Sequence, residues 1–132
     1  MEITDHHTCP FCNRNDTKII HANDHALAIY DGFPVTRGHS LVIPKRHVAS
    51  FFETTREEQT AMLELLAEIR ELLQKEHNPD GFNIGINDGT AAGQTVMHLH
   101  IHLIPRYAGD QPDPRGGVRW IFPDKAAYWN NG

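Results

Sequence analysis

The 132-residue chain is predicted to form one α+β domain, a mainly antiparallel sheet with one long helix packed on it and the functional site on the opposite face. Three observations predict this. Residues 55–78 carry apolar side chains at helical spacing. Two segments, 82–87 and 96–104, alternate apolar with polar residues at period two, as strands with one buried face do. The loop between them, 88–95, is short enough to join them as a hairpin.

Taken in order, residues 25–30 (His-Ala-Leu-Ala-Ile-Tyr) predict a strand with Leu27 and Ile29 on one face, ended by Asp31-Gly32-Phe33-Pro34. Ser40-Leu41-Val42-Ile43 predicts a second strand, stopped by Pro44, with Thr36-Arg37-Gly38-His39 in the connection. Thr55 and Glu58 fit a capping box. Met62, Leu65, Leu66, Ile69, Leu72 and Leu73 follow at helical spacing, and Asn78-Pro79-Asp80-Gly81 stops the helix. About twenty residues at ~1.5 Å each make a rod of roughly 30 Å, long enough to cover a sheet face. In 82–87, Phe82, Ile84 and Ile86 face one way and Asn83, Gly85 and Asn87 the other. Pairing this strand with 96–104 is expected to bury Phe82, Ile84 and Ile86 beside Leu99, Ile101 and Leu103, leaving the asparagines beside His98, His100 and His102. Residues 107–132, rich in Gly, Pro and aromatics, are expected to be an irregular tail.

The apolar share, 39%, and the charged share, 22%, are those of an ordinary soluble globular chain. Twelve basic against 17 acidic residues give a formal charge of −5, which argues against a surface that tracks a nucleic-acid polymer. One small anionic ligand in a locally positive pocket is still allowed. No apolar run approaches membrane-spanning length and no leader is evident, so neither a membrane partner nor export is expected, and the cytoplasm is the expected location. Two cysteines, Cys9 and Cys12, are too few and too close for a secreted disulfide framework. No motif calls for an organic cofactor.

The chemistry concentrates in His98-Leu99-His100-Ile101-His102. On a strand the three imidazoles share a face. A single metal on all three is strained, because His98 and His102 would lie roughly 13 Å apart, whereas a zinc–nitrogen bond is only about 2.0 Å. A division of labour is the better reading. The adjacent Asp88-Gly89-Thr90-Ala91-Ala92-Gly93-Gln94-Thr95 loop offers small residues, whose backbone N–H groups an anion can approach, and side-chain donors on Gln94 and Thr95. A phosphate held there lies over the imidazoles. The middle histidine, His100, is then the expected nucleophile. His102 holds partial positive charge against phosphate oxygens, and Gln94 and Thr95 steady the transition state. A non-catalytic nucleotide-binding or scaffold protein, and a hydrolase with metal on the triad, are the alternatives.

These residues, with Leu103-Ile104 after them, resemble the histidine triad superfamily of nucleotide hydrolases and transferases. Ala92-Gly93-Gln94-Thr95-Val96 and Pro105-Arg106 look most like its dinucleoside-polyphosphate-hydrolysing branch, and the likeness extends upstream through Gly38-His39-Ser40-Leu41-Val42-Ile43-Pro44-Lys45-Arg46-His47. The resemblance implies a homodimer and attack on the α-phosphate by His100. It implies ribose binding at Asp31, phosphate and ribose near Asn87, and phosphate contacts at Gly93, Gln94 and Thr95. A base pocket around Ile29, Phe33 and Val42 is implied as well. Asp31 is more like the phosphoramidate-cleaving branch, which makes a nucleoside phosphoramidate hydrolase a further alternative.

Cys9-Pro10-Phe11-Cys12 has the spacing of two thiolate ligands of tetrahedral zinc. Residues 1–24 therefore read as a zinc-binding N-terminal segment, with His6, His7, His21, His47 and His98 as candidates to complete the set. A redox pair is the competing reading, but no strand or helix flanks the motif. Zinc-bearing bacterial relatives of the triad family imply His47 and His98 as the two further ligands of a structural zinc. Lys45, Arg46, Arg37 and Arg106 are candidates to draw in a polyphosphate. Trp120, Tyr128 and Trp129 are candidates for a pocket wall, a dimer seam or plain packing.

Overall fold

The computed structural model describes residues 8–14 and 19–131. Five strands form one sheet in the order β1-β2-β3-β5-β4, antiparallel at every pairing: β1 (Ile19–Ala22), β2 (Ala26–Tyr30), β3 (Ser40–Pro44), β4 (Gly81–Ile86) and β5 (Ile101–Arg106). Helix α1 (Arg56–His77) crosses one face. Its start is the expected capping box. Thr55 Oγ1 accepts from the Glu58 N–H at 3.0 Å, and the Glu58 carboxylate accepts from the Thr55 N–H at 2.9 Å. Its end is Asn78 at φ 50°, a left-handed cap that asparagine tolerates.

Strand alternation creates two cores. On the helix side, Met62, Leu65, Ile69 and Leu73 pack on Ala26, Ala28, Val42, Ile101 and Leu103. On the other side, Leu27, Ile29, Leu41 and Ile43 pack under Phe11 of the N-terminal turn. The second core is the floor of the functional face.

The expected register of β4 on β5 is present, with Ile84 opposite Leu103 and Ile86 opposite Ile101. Burial differs from expectation at Ile84, which is 49% exposed. β4 is the sheet edge, and α1 lies over β1, β2, β3 and β5 instead. The histidine strand also starts later than its alternation predicts, at Ile101 rather than residue 96. The chain bends at 97–98, and the Leu99 N–H bonds to the Val48 carbonyl at 2.7 Å instead of to a strand partner.

Strand β1 went unread in the sequence. Its turn is made by Asn23, whose Oδ1 accepts from the N–H groups of Ala26 and His25. The tail is less irregular than expected: 3-10 turns at Gly117–Ile121 and Tyr128–Asn131 flank a short helix, α2 (Pro123–Ala126). Among the described residues, no helix is long and apolar enough to cross a membrane.

Candidate active site and metal centre

The bend before β5 divides the three histidines. His98 is turned inward to 1% exposure, whereas His100 and His102 are half-buried and line an open pocket of about 600 Å³.

His98 meets the N-terminal turn and the loop after β3. Its Nδ1 lies 3.5 Å from Cys9 Sγ, 3.5 Å from Cys12 Sγ and 3.2 Å from His47 Nδ1, and Cys12 Sγ lies 3.3 Å from His47 Nδ1. These are tetrahedral edges. With bonds of about 2.3 Å to sulfur and about 2.0–2.1 Å to nitrogen, a zinc site has S···N edges near ~3.5 Å and N···N edges near ~3.3 Å. The His98 Nε2–H donates to the Pro44 carbonyl at 2.8 Å, so its Nδ1 carries a lone pair toward the cluster. Burial holds the His98 imidazole down at about 4, which keeps it in the neutral form a metal needs. Burial, and then the neighbouring Cys9, pushes the Cys12 thiol up to about 11, a pressure that a divalent cation between the two sulfurs would relieve. The donor set therefore fits zinc. Of the other candidates, His21 is held outside by Glu68 at 3.2 Å, and His6 and His7 lie outside the described residues.

His100 has a different environment. Its ring stands edge-on to Phe11 and to His102, with centroids 5.1 Å away in each case. Its Nδ1–H donates to the carbonyl of His98 at 2.9 Å. A neutral imidazole has one proton, so Nε2 is left with its lone pair.

His102 is fixed by His39, a residue with no expected role at the site. His39, 3% exposed, accepts the Val35 N–H on Nδ1 at 3.1 Å. Its proton therefore sits on Nε2, which donates to His102 Nδ1 at 3.0 Å, with Asp31 Oδ2 at 3.3 Å as a second acceptor. His102 must then carry its own proton on Nε2. Burial lowers the pKa of His39, and it holds His102 at about 4. The partial positive charge expected of His102 is thus that of a neutral N–H. The same tautomer turns a proton, not a lone pair, toward Asp31 and His102, so Asp31, His39 and His102 form a hydrogen-bonded chain and not a metal site. The signal for His39 was its place behind Gly38. That glycine has φ +86°, and a Cβ on it would meet His77 Cδ2 at 2.9 Å.

Gly93, Thr95, Asn87 and Asp31 line the pocket with His100 and His102, as their assignment to nucleotide binding requires. Gly93 takes φ +95° to end the 3-10 turn of Thr90–Ala92. Gln94 is placed otherwise than expected. It is 4% exposed and absent from the pocket lining, and its side chain is consumed inside the loop. Its Nε2 donates to Ala49 and Val96 carbonyls at 2.9 and 3.1 Å, and its Oε1 accepts from the Gly89 N–H at 2.8 Å. This amide shapes the loop and offers nothing to a phosphate. Asp88 anchors the same loop by accepting from the Phe51 N–H and Ser50 hydroxyl, both at 3.1 Å.

Ile29 and Phe33 line the apolar end as expected, but Val42 does not. It belongs to the opposite phase of β3 and faces the helix, and Leu41 takes its place. The candidate cations are engaged elsewhere. Arg46 pairs with Glu58 at 2.8 Å, Arg106 with Asp110 at 2.7 Å, and Arg37 stacks over the Tyr107 ring at 4.5 Å. None of these three, nor Lys45, lines the pocket. Trp120 and Trp129 wall a separate cavity of about 760 Å³ beside Arg106 and Asp110.

Residues 13–109 match the family model described as the HIT domain. An uncharacterized HIT-like protein of Mycoplasma genitalium is 40% identical over 111 residues, covering 81% of this chain and 79% of that protein. The adenylylsulfatase HINT3 of Arabidopsis thaliana is 38% identical over 106 residues, 77% of this chain and 54% of that protein. Among solved structures, a Zn-bound histidine triad family protein from Mycobacterium smegmatis superimposes with TM-score 0.72 at 33% identity, covering 96% of this chain and 99% of that one.

Proposed function

The chain belongs to the HIT domain family, and from that premise we propose that it is a nucleotide hydrolase or nucleotidyl transferase. It acts at the α-phosphate of dinucleoside polyphosphates or related nucleotide conjugates, through a covalent intermediate on His100. The observation that carries this is the pair of hydrogen bonds fixing the two pocket histidines in complementary tautomers: a bare Nε2 on His100 and a protonated Nε2 on His102.

The His100 lone pair forms an N–P bond as the bond from phosphorus to the leaving atom breaks, and the electron pair departs with that atom. The His102 N–H lies on the same face to hydrogen-bond the departing atom or a phosphate oxygen. His39 is a positioning residue that holds this tautomer. Thr95 and the Gly93 backbone cradle the phosphate, and Asp31 and Asn87 take the ribose. Water then forms a new O–P bond as the N–P bond breaks. The pair returns to His100 Nε2, which takes up the water's proton and later releases it to solvent.

Cys9, Cys12, His47 and His98 hold a structural zinc in this reading. When bound, the ion supplies a cross-link between the N-terminal turn and the root of β5, with no open position for chemistry. The M. smegmatis relative supports the assignment. The open edge of β4, with Ile84 exposed on it, supports a homodimer. Cys9 and Cys12 form no disulfide, which suits the reducing cytoplasm.

The test is turnover on a panel of dinucleoside tri- and tetraphosphates, nucleoside phosphoramidates, adenylyl sulfate and nucleotide sugars. His100→Ala is expected to lower turnover by at least about 10²-fold while metal content and nucleotide binding persist. Cys12→Ser is expected to lower metal content. Unchanged turnover in His100→Ala overturns the nucleophile. Metal that leaves on changing His100 and His102, but not Cys12, overturns the metal assignment.

A further inference from the structure

The turn that carries the two cysteines is also a wall of the pocket. Cys9 and Cys12 bring their sulfurs to His98 and His47, while Pro10, Phe11, Asn13 and Arg14 of the same turn line the pocket with His100. The turn is closed on itself. Asn13 donates to the Cys9 carbonyl from its backbone N–H and from its side-chain amide, both at 3.0 Å, and Arg14 Nη1 donates to the Phe11 carbonyl at 3.0 Å. Its residues therefore shift together.

Phe11 stands where the two sites meet. Its ring is edge-on to His98, with centroids 5.8 Å apart, and edge-on to His100 at 5.1 Å. Aromatic rings favour this arrangement beyond the area it buries. The same ring packs on the cluster of Leu27, Ile29, Leu41 and Ile43, of which Ile29 and Leu41 line the pocket. Phe11 lies between the two cysteines in the chain, so a cation on Cys9, Cys12, His47 and His98 would pin its backbone from both sides.

We infer that Phe11 couples the metal centre to the nucleotide pocket. Pinned at the flanking cysteines, the ring is held against His100 and over the apolar floor, and the pocket is formed before its ligand arrives. Released, the ring leaves that place part of the time, and binding must first restore it, which lowers affinity. Coupling between two sites is reciprocal, so bound nucleotide tightens the metal by the same factor. Phe11 is a positioning residue in this role and makes no bond to the reacting atoms. The inference rests on the nucleotide and zinc readings above, and goes beyond them in linking metal occupancy to ligand affinity.

The experiment is calorimetric binding of AMP and GMP to the zinc-loaded and the zinc-stripped full chain, with zinc affinity measured against a competing chelator with and without AMP. The wild type is expected to bind each nucleotide about fivefold or more tighter when zinc-loaded, the lower range for coupled sites, and AMP is expected to tighten zinc by the factor by which zinc tightens AMP. Phe11→Ala leaves all four donors in place. It is expected to take up zinc still, with the coupling reduced to within about twofold of none. Phe11→Leu keeps apolar bulk on the floor and loses the ring, so it serves where the alanine variant does not fold, and the coupling is expected to fall there too. Wild-type chain that binds both nucleotides equally with and without zinc overturns the proposal, a result that needs no variant. So does coupling that persists undiminished in the Phe11 variants, since the metal then acts through folding of the whole chain and not through this ring. Failure of both nucleotides to bind the zinc-loaded chain would instead overturn the nucleotide reading, and failure of the chain to take up zinc would overturn the metal reading.

Discussion

A neutral imidazole has two nitrogens and one proton, and its chemistry follows from which partner each nitrogen meets. The three triad histidines have the same side chain and three different partners: the Pro44 carbonyl, the His98 carbonyl, and His39. The spacing of the histidines in the sequence marks out the site, and reach alone argues there against one metal on all three; His98 as a metal ligand is implied only by the family resemblance. His39 was not legible as a partner. Its contact with His102 spans 63 positions and depends on the loop 31–39 folding back over β5, which Thr36 fixes by donating to the Pro105 carbonyl at 2.7 Å. Gln94 misled for the opposite reason, since an amide beside a glycine serves a phosphate or its own loop equally well. The burial of His102 makes stability depend on pH. With a folded value of about 4 against 6.5 unfolded, the unfolded chain binds the extra proton between those limits. Stability is therefore full above about pH 6.5 and is lost as pH falls toward about 4, at up to ~1.4 kcal/mol per pH unit for this one proton. Urea unfolding from pH 4 to 7 should show a shallower slope in His102→Asn than in the wild type. An identical slope would remove His102 from the account.

At the scale of elements, α1 is the part most completely written in the sequence, because cap, apolar stripe and stop are all local. Its N-terminus is reinforced from outside. Glu58 closes the capping box and also receives Arg46 at 2.8 and 3.0 Å, and that guanidinium holds its carboxyl at about 2. Thr55→Ala removes one side of the box and should cost about 1 kcal/mol, measured as a drop in unfolding free energy with pocket binding unchanged. No loss would mean that the Arg46 pair alone secures the end. β1 was hidden because Ile19–Ala22 is too short for alternation to stand out, and its pairing with β2 carries an irregularity between Ile19 and His21. The late start of β5 was hidden because a bend leaves the alternation of a sequence untouched. What makes the bend is tertiary: His98 is drawn in toward Cys9, Cys12 and His47.

For the whole molecule, the sheet separates two jobs. One face packs on α1 for stability, and the other carries the second core, the N-terminal turn and the pocket. The strand phases of β2 and β4 were readable from their alternation. β3, buried at all five positions, has no polar face to reveal its phase, so nothing in its own sequence opposes the family resemblance that implies Val42 at the base pocket. The edge strand leaves Ile84 uncovered, and a second copy of the chain pairing there would cover it. Ile84→Lys should shift the mass measured by light scattering from dimer to monomer. A wild type that is monomeric at micromolar concentration would refute the dimer. The central claim is that His100 becomes bonded to phosphorus, and the most direct measurement is intact-protein mass spectrometry after an alkaline quench of a single turnover with a dinucleoside polyphosphate. The account predicts one nucleotidyl group on the wild type, mapped to His100 and missing in His100→Ala. Product formed at the wild-type rate with no adduct, or an adduct on any other residue, would contradict it.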